Sequence, residues 1–524
     1  MTPDNDTLPA PPAPDTAAPD GSARPSDAMT ADGGVPPALR VADMGRQRFG
    51  GAPPGMMRRP FDPRLLEGPI IRSLFLLAFP IMGANILQIA YQIVDAFWVG
   101  RLGATAVASV SVSMPIMFLM ISAGMGFAIA GSTLIAQYVG ARDTKMVNHV
   151  AAQTMISVIG VSTTLGTIGF IIAPYVLGLM EVAPEVHANA LKFLRVQFVG
   201  LPLAFAYFMF QSQMRGTGQV KVPLYIVAVS VTINFILDPI LIFGAGLGVM
   251  GAALATLFSQ ATAAAVGMYL LFSGRFGIKL TWASFRPDFE FIKRAFNLGY
   301  PASIEQSARG LGMIVMTFLI TSFGTITIAA YGVGSNVMNV VIIPAMGFSL
   351  ATSTLVGQNI GAGNIHRAER VARLAATLTF STLSAVGLIA FTFANHIAAF
   401  FVPNDKHVIH EASVFIRTVS WSYGFIGLQF ALMGVLRASG NMMTAMTISL
   451  VSQWCLQFPL AFVLSQHTHL HAHGLWWAFP VANVSIAIVS GLIFARGDWK
   501  KRRLVEPRTE IEAEQEDVAE QVVI

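Results

Sequence analysis

The chain is poor in charge. Only 12% of its 524 residues are Asp, Glu, Lys or Arg, about half the share usual in soluble domains. It has a single cysteine, Cys455, in an apolar run, which excludes a disulfide framework and a thiolate metal centre. No apolar run holds a paired acidic metal motif or a His–Glu–His arrangement, and the glycine-rich stretch 244–251 joins two apolar runs rather than following a strand. Phosphate-loop chemistry is thereby excluded, and nothing supports a membrane-embedded enzyme. The first sixty or so residues lack the apolar segment of a secretory signal. They are rich in Pro, Ala, Asp and Gly, the composition of a disordered tail.

What the chain has in abundance is apolar sequence, 54% of residues. Twelve apolar segments run at approximately 70–100, 106–137, 149–178, 190–213, 222–245, 250–272, 292–322, 328–357, 370–400, 411–436, 443–465 and 474–495. Each reaches the length of about 20 residues that crosses a bilayer as a helix. The expected fold class is an all-α membrane protein with twelve transmembrane helices. Pro80, Pro115, Pro301 and Pro344 are placed to bend four of them. The net charge of +5 does not imply nucleic acid, because Lys and Arg in such a chain mark cytoplasmic loops. Arg142, Lys145, Arg215, Lys221, Arg367, Arg370 and Arg437 fall on one side together with both termini. A multi-pass protein of the plasma (cytoplasmic) membrane with both termini inside is expected.

The halves repeat. Pro80 matches Pro301 at an offset of 221, and the same offset pairs Gly103 with Gly324, Gly126 with Gly347, Ser132 with Ser353, Gln137 with Gln358 and Gly140 with Gly361. Arg215 matches Arg437 at 222. The expected organisation is a cytoplasmic tail over 1–64, an amino bundle over 65–272, a basic linker over 273–294, a carboxy bundle over 295–497 and a cytoplasmic tail over 498–524. Six spans per copy give both copies one orientation, so substrate is expected between them near mid-membrane.

The halves differ in their acids. Asp238 lies in the fifth apolar run, with Asn234 one turn before it. An ionised Asp in mid-span costs about 2.5–3.5 kcal/mol on insertion scales, so a chain that keeps one pairs it, protonates it or uses it. In the first run Gln88, Tyr91 and Asp95 are spaced i, i+3, i+7, one polar stripe on a helix. The stripes are expected to face each other and form a cation site. Offset 221 puts Met316 opposite Asp95, and no carboxylate stands near the repeat of Asp238.

The residues 94–100 (VDAFWVG), 215–218 (RGTG), 234–239 (NFILDP) and 251–256 (GAALAT), in this order on a duplicated chain, resemble the multidrug and toxic compound extrusion (MATE) family, and within it the DinF-like branch. The resemblance covers about residues 65–495 and implies a V-shaped pair of six-helix lobes. It further implies export of organic, often cationic, compounds against inward flow of H⁺ or Na⁺, with no other cofactor. The positions matching the family's amino-lobe acids are Asp95 and Asp238, with Gln88, Tyr91, Asn234 and Thr256 as neighbours; Na⁺ would sit at Asp95, Asp238, Asn234 and Thr256. Expected partners are small cationic or amphipathic organic molecules and membrane lipid, not nucleic acid, with function as a monomer. The alternative in the wider superfamily is a flippase or exporter of a lipid-linked or other amphipathic substrate.

Met209 and Met313 are cleft candidates because Met repacks around varied shapes, and Gln211, Asn336, Asn339, Gln429 and Gln453 are polar ones. Glu305 and Arg309 stand four apart, either an intrahelical ion pair or charges for a substrate or second ion. His467, His469, His471 and His473 alternate; on an extended strand they would share one side, but nothing nearby closes a metal site, and a solvated loop is expected.

Overall fold

Long runs of apolar residues with few breakers leave the backbone one way to satisfy its N–H and C=O groups inside a membrane, and that is the helix. The structure, a computed structural model, describes residues 63–505; the expectations for 1–62, and for the part of the carboxy-terminal tail over 506–524, lie outside the described residues. Among the described residues there is no strand. A short helix, α1 (Arg64–Glu67), precedes α2 (Ile70–Gly100), α3 (Ala104–Gly140), α4 (Thr144–Leu179), α5 (Pro184–Gly216), α6 (Lys221–Pro239) and α7 (Val249–Ser273). The second half holds α8 (Phe289–Thr321), α9 (Thr325–Gly361), α10 (Ile365–Thr392), α11 (Ala394–Phe401), α12 (Lys406–Ser420), α13 (Tyr423–Ala438), α14 (Met442–Leu450), α15 (Phe458–Gln466) and α16 (Ala472–Arg496).

Ten spans are long and apolar enough by length and composition alone, counting Lys221–Gly244 and Met442–Gln466 as one span each. The pair α12 and α13, bent by 49° at its break, makes an eleventh. The twelfth is α8, whose apolarity is diluted by Glu305 and Arg309. These are twelve transmembrane helices in two pseudo-symmetric six-helix bundles. Sequence breaks fall where the backbone needs them. Gly103 and Gly324, a repeat pair, take φ of +101° and +91° just before α3 and α9, a region closed to most side chains. Asp143, Asp288 and Asp405 accept backbone N–H groups at the starts of α4, α8 and α12, as helix N-termini require.

The expected proline positions all lie inside continuous helices. Two of them mark a crossover. Leu74, Leu77, Ala78 and Ile81 of α2 pack in a core with Phe348, Leu355 and Val435 of the second half. Beyond Pro80 the same helix buries Tyr91 and Val99 in the first half. In α8, Phe291 and Ala295 join the first-half core, while Met316 and Ile320 join the second. The first span of each bundle thus changes partners near its proline, and a division by core does not coincide with the division by chain order at 65 and 295. Departure from α-geometry occurs elsewhere, in the fifth span of each bundle. Ile240–Gly244 continues α6 as π-helix, and the π-helical Val451–Gln457 joins α14 to α15.

One end of the interface between the halves is sewn shut by repeat residues. Gln137 Nε2 donates to Ala438 O at 2.7 Å, and its repeat mate Gln358 Nε2 donates to Gly216 O at 3.0 Å. A Cβ on Gly140 would stand 1.9 Å from Gln358 O, and one on Gly361 would stand 1.9 Å from Gln137 O. Only glycine permits so close an approach. Leu504 closes the same seam by donating its N–H to Gln137 Oε1 at 2.9 Å, while Arg294 holds its carbonyl.

Candidate functional site

The acid stripes do meet. Asp95 projects from α2, Asp238 from the last turn of α6 before the π-helical stretch, and Thr256 and Ser259 from one face of α7. Thr256 Oγ1 donates to Asp95 Oδ2 at 3.3 Å, and Asn234 Nδ2 donates to Asp238 Oδ1 at 3.5 Å. Asn234 and Asp238 are 0% exposed. Tyr91 OH and Ser259 Oγ share a hydrogen bond of 2.7 Å, and Ser230 Oγ donates to Ser259 O at 3.2 Å, so a polar lattice braces α2, α6 and α7 around the acids.

The lattice leaves acceptors over. Asp95 Oδ1, Asn234 Oδ1 and Asp238 Oδ2 are buried and have no hydrogen-bond partner. Buried oxygen without a donor is costly, and three such oxygens on adjacent side chains form a cradle that fits a proton or a small hard cation. The hydroxyl of Thr256 adds a fourth oxygen. Gln88 is not brought against the carboxyls. It lines a small cavity with Tyr91, Tyr207, Ser230 and Gln260. Ser230 and Ser259 are the members sequence reading passed over; Ser259 stands three residues after Thr256, on the same helix face.

The cleft candidates scatter. Met209 is 1% exposed inside the first-half core rather than on a cleft wall, a correction to its expected place, because Gly131 leaves room for its sulfur to pack inward. Gln211 is buried, Gln429 is half-buried, and Asn336, Asn339 and Met313 are exposed. Only Glu305, Arg309 and Gln453 come together, with two residues not foreseen. Glu305 Oε1 accepts from Arg309 Nη2 at 3.0 Å, Arg437 Nη2 at 2.6 Å and Ser449 Oγ at 3.1 Å. Gln453 Nε2 donates to Arg309 O at 3.4 Å. The intrahelical pair exists, but it is part of a buried cluster tying α8, α13 and α14. Arg437 had counted only as a loop charge and a repeat mark; its match to Arg215, next to a span end, was the available signal.

The four histidines run through a turn into α16 rather than along a strand, so their alternation places them on no common side. His473 lies 3.5 Å from Glu411. Among the described residues no three His, Cys, Asp or Glu side chains are grouped to hold a metal.

The MatE family model matches residues 80–240 and again 301–463, and the two matches begin 221 residues apart, the offset of the internal repeat. The chain is similar to the probable multidrug resistance protein YoeA of Bacillus subtilis, 31% identical over 83% of this chain and 95% of that one. It is 27% identical to the probable multidrug resistance protein NorM of Thermotoga maritima, over 84% of this chain and 95% of that one. Among solved structures, a MATE protein in a bent conformation superposes with a TM-score of 0.78 at 24% identity, over 85% of this chain and 99% of that one. An outward-facing multidrug resistance MATE family transporter gives 0.76 at 24%, over 84% and 98%. Two family matches on one chain, at the spacing of its own duplication, show that the protein belongs to the MatE family of membrane transporters and is not an enzyme.

Proposed function

We propose that the protein is a secondary active multidrug efflux antiporter of the plasma membrane, with both termini cytoplasmic and function as a monomer. It exports small cationic or amphipathic organic compounds in exchange for H⁺ or Na⁺. The single observation that carries this reading is the cradle of unpartnered buried oxygens on Asp95, Asn234 and Asp238. Two carboxylates buried side by side repel each other and lose hydration. Uptake of a proton, or of Na⁺ held by these oxygens and Thr256, relieves both costs and draws α2, α6 and α7 together. Because α2 changes bundles near Pro80, a shift of its later half is passed to the other bundle, and exchange follows if ion and drug stabilise different access states.

The driving force sets a bound. One pH unit is worth about 1.4 kcal/mol per proton, and membrane potential adds about 2.3 kcal/mol per charge per 100 mV. A one-for-one swap of H⁺ for a monovalent cation moves no net charge and concentrates drug only about tenfold per pH unit. Larger ratios need a second coupling ion, for which a pair of carboxyls offers two places.

Dye efflux from proteoliposomes under an imposed pH gradient, then a sodium gradient, tests the reading. Efflux under one gradient that disappears in both Asp95→Asn and Asp238→Asn supports it, and normal efflux by both variants rejects it. The alternative, a flippase for a lipid-linked pyrophosphate, draws on the meeting of Arg309 and Arg437. Glu305 already neutralises one of those charges, so the acid cradle favours antiport; scrambling of a fluorescent lipid-linked substrate without dye efflux would reverse that preference.

A further inference from the structure

Arg437 and Arg215 occupy equivalent places in the two copies, and their surroundings differ. Arg437 has Glu305 at 2.6 Å. At offset 221 the counterpart of Glu305 is Ala84, and among the described residues no carboxylate pairs with Arg215. Arg215 and Arg437 line one cavity at the seam between the halves, together with Ser132, Ser349 and Ser353. Each of the two arginines has a buried Nε–H with no acceptor, and Arg437 is 7% exposed. Ser349 spends its proton on Phe430 O at 2.6 Å. Ser132 and Ser353, themselves a repeat pair, have no hydrogen-bond partner for their hydroxyls among the described residues. Arg309 and Arg437 therefore share one carboxylate, Arg215 has none, and the residues carrying four donors of two repeat pairs line one cavity without an acceptor. Arg215 is half-buried, but a buried N–H of a guanidinium left without an acceptor is costly, so the donor set calls for an anion.

Size selects among anions. The cavity volume is about 10 Å³, room for roughly one water-sized particle. A phosphate, a lipid headgroup or a drug carboxylate with its attached carbon does not fit. We propose that a chloride ion occupies this cavity as the missing counter-ion of Arg215, held by the two arginines and the hydroxyls of Ser132 and Ser353. Because Ser132 belongs to α3 and Ser353 to α9, the site exists only while the seam joined by Gln137 and Gln358 is closed. Chloride then favours the seam-closed state over any state in which the two helices part.

The test uses the purified full-length protein in detergent, with gluconate replaced stepwise by chloride at fixed ionic strength and fixed cation. The melting temperature rises by about 3 °C or more and saturates; bromide reproduces the rise and sulfate, too large for the cavity, does not. Arg215→Gln abolishes the chloride-dependent rise. Should that variant fail to fold, the double variant Ser132→Ala/Ser353→Ala decides instead, with the chloride midpoint moved up about tenfold. A rise that is absent, that sulfate gives equally, or that survives undiminished in the variant used overturns the proposal.

Discussion

The two bundles answer the same problem, charge inside a membrane, in opposite ways. The amino bundle holds two acids with acceptor oxygens to spare and, among the described residues, no basic partner. The carboxy bundle holds one acid whose Oε1 accepts from two arginines and a serine. The repeat makes the contrast sharper, since Asp95 stands opposite Met316 and Arg309 opposite Gln88, at offset 221. A carboxylate whose charge is matched by two guanidiniums is held in place and serves as a rivet. Carboxylates with empty lone pairs keep room for a proton or a cation, as the proposed coupling requires. Duplication supplied one frame, and divergence left one copy with unpaired acids and the other with a paired one.

The comparison breaks most visibly if the acids of the amino bundle are neutralised. Asp95→Asn or Asp238→Asn reduces gradient-driven dye efflux by about tenfold or more, to the level of empty vesicles, while the protein still reaches the membrane and melts no lower than wild type. A large loss of folding in these variants would place the acids with the rivet instead. Glu305→Gln reverses the pattern. It leaves Arg437 buried without a counter-charge and lowers stability by about 3–5 kcal/mol, read as a fall in melting temperature and in yield. An unchanged melting temperature would remove the contrast.

The seam should behave alike in both halves, because its contacts are reciprocal. Gly140→Ala and Gly361→Ala each push a methyl onto a backbone carbonyl and cost about 1–3 kcal/mol of the closed arrangement. Cysteine labelling at the seam should rise in both variants by a similar factor; a strong effect in only one would show that the pseudo-symmetry does not extend to the gate. The smallest effect lies in the linker. Asp288 caps α8 through the Phe291 N–H and lies 3.2 Å from His149. The Phe291 N–H foremost, with His149 beside it, holds its carboxyl below the ordinary carboxylate range. A depressed folded value means a contribution that is complete above the ordinary pKa, about 4, and is lost as pH falls through the lowered one. Asp288→Asn should therefore lower the melting temperature slightly near neutrality and flatten its fall below about pH 4, whereas a profile that matches wild type throughout would show that this carboxyl contributes nothing.

Most of the frame was legible because it depends on pattern. Span positions follow apolar length, and the structure keeps all twelve within a few residues at most boundaries. The proximity of the two acids was legible because ionisable residues in apolar runs, each with polar neighbours at helical spacing, seldom face lipid. The Arg437–Glu305 pair was not legible, since it joins residues 132 apart in sequence on helices whose contact no spacing reveals. The crossover of α2 and α8 was hidden for a related reason. Pro80 and Pro301 announce a weak point in a helix, but which core each half enters is decided by the shape of its neighbours. Met209 shows the limit of composition, because a flexible side chain fills a core gap as readily as a cleft wall.

The reciprocity of Gly140 and Gly361 has a consequence for the chain's history. Each glycine is matched to a carbonyl at the corresponding place in the other copy, so a change on one side meets an unaltered surface on the other. Elsewhere each half is free to drift on its own, as Met316 opposite Asp95 illustrates. Where the halves touch, they are obliged to change in step or not at all, and the ancestral duplication stays readable there after it has faded from the rest.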